Sequence, residues 1–379
     1  MRIDGETAWL SALSNKHSKW DAKRFSNDVI DLEHSPKFSL DKKNQFFCIG
    51  SCFARNIEEH LIYRDIGVLS KAIVCPQKEW PYRPNGITNK FTTASMLNEF
   101  EWISGRNWPE ASLLETSNGW LDLQLTPGQN PVSHERAVER RQYLISDYFN
   151  RIRASDVLII TLGFIETWYD AETGLYLNAT PPLWQIRNQP GRFQFERTEF
   201  TANLGALESI HDRYLALNPA GKIIVTVSPV PLDRTFSGED IATANSYSKS
   251  ILRSAAQTFA NNHPNVDYFP SYELVTLSQR SSVYSSHDCL HVTDQRVSEI
   301  ISFFIQTHIG DTDRRDPEFI ELFYLEANPD VYELVRQGAY ASGYEHWTRL
   351  GKDQNRPLLP ERAPEWMTHG GISNQRKQD

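Results

Sequence analysis

Two short stretches carry the residue types that nucleophilic chemistry needs. The first is Gly50-Ser51-Cys52, a hydroxyl beside a thiol, placed between a short apolar run and a helical pattern. A nucleophile on such a turn stands exposed at a strand end and near the positive end of a helix dipole, a field that favours a thiolate at Cys52. Ser51 and Cys52 both qualify. The second stretch is Ser286-His287-Asp288-Cys289-Leu290-His291. Asp288 and His291 are three residues apart on an expected loop or first helical turn, so the carboxylate can reach the imidazole, hold its tautomer and support the imidazolium formed during proton transfer. Taken singly, a cysteine in a tight turn is a small buried apolar group, and a DxxH is a solvated or helix-capping histidine. Each gains a chemical reading from the other. His287, Asp288 and His291 also offer metal-ligand types at close spacing, but no further His/Asp cluster completes a shell in the sequence, and no metal is expected.

The elements that must hold these groups follow from hydrophobic patterning. Gln45 to Ile49 is an apolar run ending at Gly50, and Phe53, Ile57 and Leu61 then recur at helical spacing, which predicts strand, tight turn and helix. Asp156 to Leu162 is a continuous apolar run ending at Gly163; Lys222 to Ser228 is another, stopped by Pro229 and Pro231; Val266 to Phe269 is a fourth. Helices are expected near 134 to 154, 200 to 217, 240 to 262 and 294 to 308. Strands alternating with helices predict an α/β fold, a mainly parallel sheet covered on both faces, with active groups at the carboxyl ends of the strands. Residues 1–43 read as a polar lead-in, 44–310 as the α/β domain, 311–359 as a small helical appendage and 360–379 as a mobile tail.

Bulk properties exclude several function classes. A net charge of −9 with no long Lys/Arg run leaves no electrostatic footprint for nucleic acid. No run approaches the roughly 18 apolar residues of a membrane span, and the N-terminus lacks a signal-peptide core, so a cytoplasmic protein is expected. Cys48, Cys52, Cys75 and Cys289 form no CxxC pair, which argues against a disulfide framework or a structural zinc.

The string Gly50-Ser51-Cys52-Phe53-Ala54 resembles the signature of the GSCFA family, a bacterial group placed among the SGNH (GDSL-like) hydrolases. The resemblance extends to Thr161-Leu162-Gly163 with Glu166 and Trp168, to Thr226 through Leu232, to Ala244-Asn245 with Tyr247-Ser248-Lys249, to Phe269 through Glu273, and to Asp288 with His291. It covers about residues 45 to 305 and implies a flavodoxin-like three-layer α/β/α fold. It also implies ester or acyl-transfer chemistry without a cofactor, with His291 as base and Asp288 as its orienter. SGNH enzymes carry Gly-Asp-Ser after the first strand, so position favours Cys52 as nucleophile and side-chain type favours Ser51. Their oxyanion hole uses an Asn in a Gly-x-Asn element, where Gly163-Phe164-Ile165 places Ile165. The replacement donors to consider are the Cys52 backbone N–H, Asn85 and Asn89. Glu166 accepts hydrogen bonds and cannot serve as a donor when ionised; it and Trp168 are read as pocket or structural residues with equal weight, and Ser228 as a pocket residue past a strand end. The C-terminal part, with Tyr324-Leu325, Asn328-Pro329-Asp330, His346-Trp347 and Gly351, resembles a short helical module of bacterial multidomain proteins.

The expectation is therefore an SGNH-type hydrolase or O-acyltransferase acting on an ester, an O-acyl group of a glycan or a small molecule. The alternative is an inactive binding module that recognises glycan or a protein partner. The two differ in one observable: whether Cys52 and His291 meet at a pocket mouth or turn into the core.

Overall fold

The computed structural model describes residues 2–310 and 319–360. Apart from Pro360, the tail expected over 360–379 lies outside them, as does the start of the appendage. The strands in chain order are β1 (Phe46–Gly50), β2 (Leu113–Thr116), β3 (Gly119–Asp122), β4 (Val157–Leu162), β5 (Glu166–Asp170), β6 (Leu175–Leu177), β7 (Phe193–Arg197), β8 (Lys222–Val227) and β9 (Val266–Tyr268).

The central sheet is parallel with order β1-β4-β8-β9. Outside β1, Val68 makes a single parallel bridge to Phe46, so the chain takes a rudimentary fifth position there. Successive residues feed opposite faces. Phe47, Ile49, Leu158, Ile160, Leu162, Ile223 and Val225 pack against the helices Thr93–Ile103, Phe200–Leu217 and Ile241–Asn262. Phe46, Cys48, Val157, Ile159 and Ile224 pack against Cys52–Ile62 and Asp294–His308. Because both faces are covered, these strands read as unbroken apolar runs rather than alternating ones. The result is a three-layer α/β/α arrangement whose strand order reverses beside β1, the place where open α/β sheets form a crevice.

Two additions were not legible in the patterning. A β2-β3 hairpin and an antiparallel sheet of order β6-β5-β7 form an annex with its own small core of Leu114, Leu123, Leu177, Ala179 and Phe193. Its strands are short and partly exposed, so hydrophobic periodicity marks them weakly. The helix expected over 134–154 is helical only from His134 to Tyr143, then widens into a π turn and tightens into a 3₁₀ stretch ending at Ala154.

The N-terminal segment is only partly a surface lead-in. The helix Gly5–Ser14 buries none of its residues, but Ile30 and Leu40 are buried, and Lys37 donates to the carbonyls of Ala260 and His263. The C-terminal helices build a core from Phe319, Tyr324, Val331 and Trp347 around Tyr63, at the end of Cys52–Ile62. Tyr63 Oη accepts from the Glu321 N–H at 2.8 Å, and Arg336 donates to the carbonyls of Cys75, Trp80 and Tyr82. Among the described residues no helix is long and apolar enough to cross a membrane.

Candidate active site

The turn after β1 is shaped by a glycine that cannot be replaced. Gly50 has φ +147°, and a Cβ there would stand 2.1 Å from Thr161 Oγ1 and 2.3 Å from the Thr161 carbonyl oxygen on the neighbouring strand. Glycine lets the backbone of β1 pass this close and turn sharply. Ser51 follows as N-cap of Cys52–Ile62, yet its side chain does not cap the helix. Its Oγ is buried and makes no hydrogen bond. Cys52 is thus the first helical residue, in the turn whose N–H groups have no intrahelical acceptor.

The second half of the site is a loop pinched by a bridge between Tyr284 and Val292. Asp288 Oδ1 accepts from the backbone N–H of Leu290 and His291, at 2.9 and 3.1 Å, which folds the loop back on itself. Asp288 Oδ2 then lies 2.7 Å from His291 Nδ1. Thr293, rather than either histidine, caps the helix Asp294–His308. His291 and Cys52 line the same cavity and their charges interact, so thiol, imidazole and carboxylate form one row.

The charges in this row are mutually supporting. Burial disfavours the His291 cation, but the hydrogen bonds to Asp288 and Cys52 and their negative charge outweigh it and push His291 up to about 9. Burial likewise opposes a Cys52 thiolate, and the hydrogen bond and charge of His291, followed by Arg83 and Lys249, bring the thiol below its ordinary value. Asp288 is held well below the usual carboxylate range by His291 and the two backbone N–H groups, against its burial. A thiolate–imidazolium pair with a fixed counter-carboxylate is the arrangement these shifts describe.

Lys249 lies behind the thiol and was not singled out from the sequence as a site residue. It is buried, and its Nζ donates to the carbonyls of Gly163, Ser228 and Val230 at 2.6, 2.8 and 2.8 Å. Three acceptors use all three protons of an ammonium, which a neutral amine does not have. Burial pulls Lys249 down to about 7, with the Cys52 charge opposing that fall. A sequence signal existed: Lys249, Leu252 and Ala256 share the buried face of Ile241–Asn262, a place where an unpaired lysine is out of character.

Cys52 and His291 open onto a cavity of about 430 Å³. Gly163 and Ser228 line its floor, at the carboxyl ends of β4 and β8. A Cβ on Gly163 would stand 2.6 Å from the Phe91 carbonyl oxygen. The annex and the segment after β8 supply one wall, where Trp168, Phe195 and Phe236 make a ring cluster with centroids 5.3 to 5.9 Å apart. Glu166 lines the same wall, but its carboxylate accepts from Thr235 Oγ1 and the Phe236 N–H, so it ties down the segment after β8. Arg234 lies exposed along the cavity.

Two of the replacement donors considered, Asn85 and Asn89, do not reach this cavity, nor does Ile165 at the position of the SGNH asparagine. Asn85 is buried and donates to Glu58, itself held by Arg55 and Ser70. Asn89 is also buried, its carbonyl accepting from Asn178. The polar turn that carries them folds as a 3₁₀ helix, Pro84–Thr88, over an internal carboxylate instead of facing the cavity. Ile165 is core, its N–H bonded to Ser248 Oγ at 3.1 Å. Gly50 is behind the turn, its carbonyl accepting from the Lys90 N–H. His287 is exposed, while Asp288 commits its carboxylate to His291, so these residues form no ligand cluster.

An α/β/α sheet bearing a thiol–imidazole–carboxylate row at the carboxyl end of its first strand defines the class of this protein. The chain belongs to the GSCFA family, whose model matches residues 45–304. No curated protein matches it. Among solved structures it is similar to a carbohydrate esterase family 3 protein from Talaromyces cellulolyticus, at 11% identity over 71% of this chain and 100% of that one, with a TM-score of 0.28. It is also similar to a Clostridium thermocellum family 3 carbohydrate esterase, at 12% identity over 70% of this chain and 94% of that one, with a TM-score of 0.25.

Proposed function

We propose that the protein is an ester hydrolase or O-acyltransferase that works through a thioester on Cys52. The observation that carries this reading is the Cys52–His291–Asp288 row at the mouth of a cavity, with the Lys249 ammonium behind the thiol. The Cys52 thiolate attacks the acyl carbon, forming the C–S bond and moving the carbonyl π pair onto oxygen. The Cys52 backbone N–H at the helix start faces that oxyanion, aided by the helix dipole. The C–O bond then breaks as the imidazolium of His291 passes its proton to the leaving alkoxide. Water or a second hydroxyl then attacks the thioester, His291 taking its proton, and the thiolate leaves. Asp288 holds the ring and balances its charge throughout.

Supporting Cys52 over Ser51 is the imidazole, which favours the Cys52 thiolate, while Ser51 Oγ is buried and makes no hydrogen bond. The aromatic wall of Trp168, Phe195 and Phe236 suits a flat apolar face, such as that of a sugar ring, next to the ester. A binding module would have no use for a thiol pulled below its ordinary value.

The test is labelling with iodoacetamide and, separately, with a fluorophosphonate, on wild type, Ser51→Ala, Cys52→Ala and His291→Ala. Rapid alkylation that is lost only in Cys52→Ala and slowed in His291→Ala is expected. Labelling of every variant at the rate of a solvent cysteine, with no fluorophosphonate adduct, contradicts the mechanism.

A further inference from the structure

The cysteine spacing gives no reason to expect a metal, yet three side chains brought together from far apart in the sequence form a ligand set away from the thiol site. His34 from the N-terminal segment, Asp267 from β9 and His308 at the end of Asp294–His308 place one ligand atom each within 4.8 Å of one another. Asp267 lies on the strand at the opposite edge of the sheet order from β1, which leads to Cys52. Both imidazole Nε2 atoms address the same oxygen: His34 is 2.9 Å and His308 3.1 Å from Asp267 Oδ2. The site is secluded, with side-chain exposures of 12% for His34, 6% for Asp267 and 0% for His308.

The His308 ring is also held from outside the cluster. His308 Nδ1 is 3.2 Å from the Phe304 carbonyl, which can only accept. That contact fixes the ring through Nδ1 and leaves Nε2 aimed at the Asp267 carboxylate. In so secluded a place the carboxylate charge needs a compensating cation at the two Nε2 atoms, either a ring proton or a metal ion. Among the described residues no lysine or arginine pairs with Asp267. A ring whose Nδ1–H is fixed by a backbone carbonyl while Nε2 faces outward is the arrangement that orients histidine on a metal.

We infer that His34, Asp267 and His308 bind a divalent transition-metal ion, with zinc best suited to two imidazoles and one carboxylate. Ligand atoms of a tetrahedral zinc stand roughly 3.3 Å apart, so the His-to-Asp separations of 2.9 and 3.1 Å would each open by a few tenths of an ångström to admit the ion. A cavity of about 460 Å³ runs beside His34 and Asp267, giving an ion a route in and a water the fourth position. The ion would clamp the N-terminal segment to the edge strand and to the last helix of the α/β domain. None of the three residues lines the cavity at Cys52, so the site is structural and separate from the proposed reaction.

The full chain is loaded with Zn²⁺, dialysed against metal-free buffer and assayed by plasma mass spectrometry, with a Co²⁺-loaded sample read by visible absorption. Wild type retains one equivalent, with the intense d–d bands of a low-coordinate cobalt site. The Cys52→Ser/His291→Ala double variant, which removes the competing thiol–imidazole ligands, retains it too. His34→Ala and Asp267→Asn lose it, each weakening retention by at least the ~10- to 100-fold that loss of a mere supporting hydrogen bond causes. No retention by wild type, retention unchanged in both ligand variants, or loss confined to the Cys52→Ser/His291→Ala variant overturns the inference. Should the ligand variants misfold, the melting temperature decides. A rise on adding Zn²⁺ in wild type and in Cys52→Ser/His291→Ala supports the site, and no rise contradicts it.

Discussion

Replacing Asp288 by Asn removes one charge and almost no volume. The amide oxygen can still accept from the Leu290 and His291 N–H groups, so the loop fold is preserved. What is lost is the carboxylate 2.7 Å from His291 Nδ1. A hydrogen bond between two charged groups contributes about 1.5–3 kcal/mol, and each 1.4 kcal/mol is a factor of ten, so acylation should slow by roughly 10- to 150-fold. The same loss appears on the pH axis. His291 is held at about 9 against an ordinary value of 6.5, although burial opposes its charge. Removing about 1.5–3 kcal/mol of support for the cation lowers it by about 1–2 pH units, at 1.36 kcal/mol per unit. The direction matters: the imidazolium is the general acid, so activity falls where it deprotonates, and the alkaline limb of kcat/KM should move from near 9 toward about 7–8. The assay is hydrolysis of p-nitrophenyl acetate across pH, with circular dichroism to check folding. An Asp288→Asn variant with its alkaline limb unmoved and kcat/KM within about threefold of wild type would refute the reasoning.

Four further outcomes follow. Gly50→Ala forces a Cβ into Thr161 and should destabilise the protein by more than about 3 kcal/mol, read as a collapse of the melting temperature or insoluble expression. Lys249→Met strands three buried carbonyls, costing about 3 kcal/mol or more in urea unfolding, and shifts Cys52 alkylation to higher pH by removing a stabilising charge. Glu166→Ala frees Thr235 and Phe236 and should raise KM several-fold with kcat nearly unchanged; a fall in kcat alone would place Glu166 at the reacting atoms instead. Trp168→Ala should weaken a bulky acylated sugar about 10-fold or more while sparing p-nitrophenyl acetate, and equal loss on both would argue for a folding defect.

The central strands were readable because burial on both faces leaves unbroken apolar runs such as Val157–Leu162, which end where glycine or proline intervenes. The helices Phe200–Leu217 and Asp294–His308 were readable from apolar spacing for the same physical reason. Cys52, Asp288 and His291 carried their chemistry in residue type, so their meeting could be anticipated. Lys249 could not, because its role comes from three backbone carbonyls that only the fold assembles. Asn85 and Asn89 misled for the complementary reason: an amide in a polar turn looks available, but Asn85 is taken by Glu58, a carboxylate buried inside the next layer. The annex escaped notice because β6 has only three residues and β7 is half-exposed, so its stability comes from cross-strand pairing that no local pattern records. His34, Asp267 and His308 are spread over most of the chain, and no spacing rule for metal ligands spans such distances.

The claim on which the account rests is that the acyl group passes through Cys52. Rapid acid quenching of the protein during turnover of p-nitrophenyl acetate, followed by intact-mass and peptide mass spectrometry, tests it directly. The account predicts a single added acetyl group, carried by the peptide containing Cys52, released by neutral hydroxylamine and absent in Cys52→Ala. An acetyl group on Ser51, or steady turnover by Cys52→Ala at the wild-type rate, would contradict it.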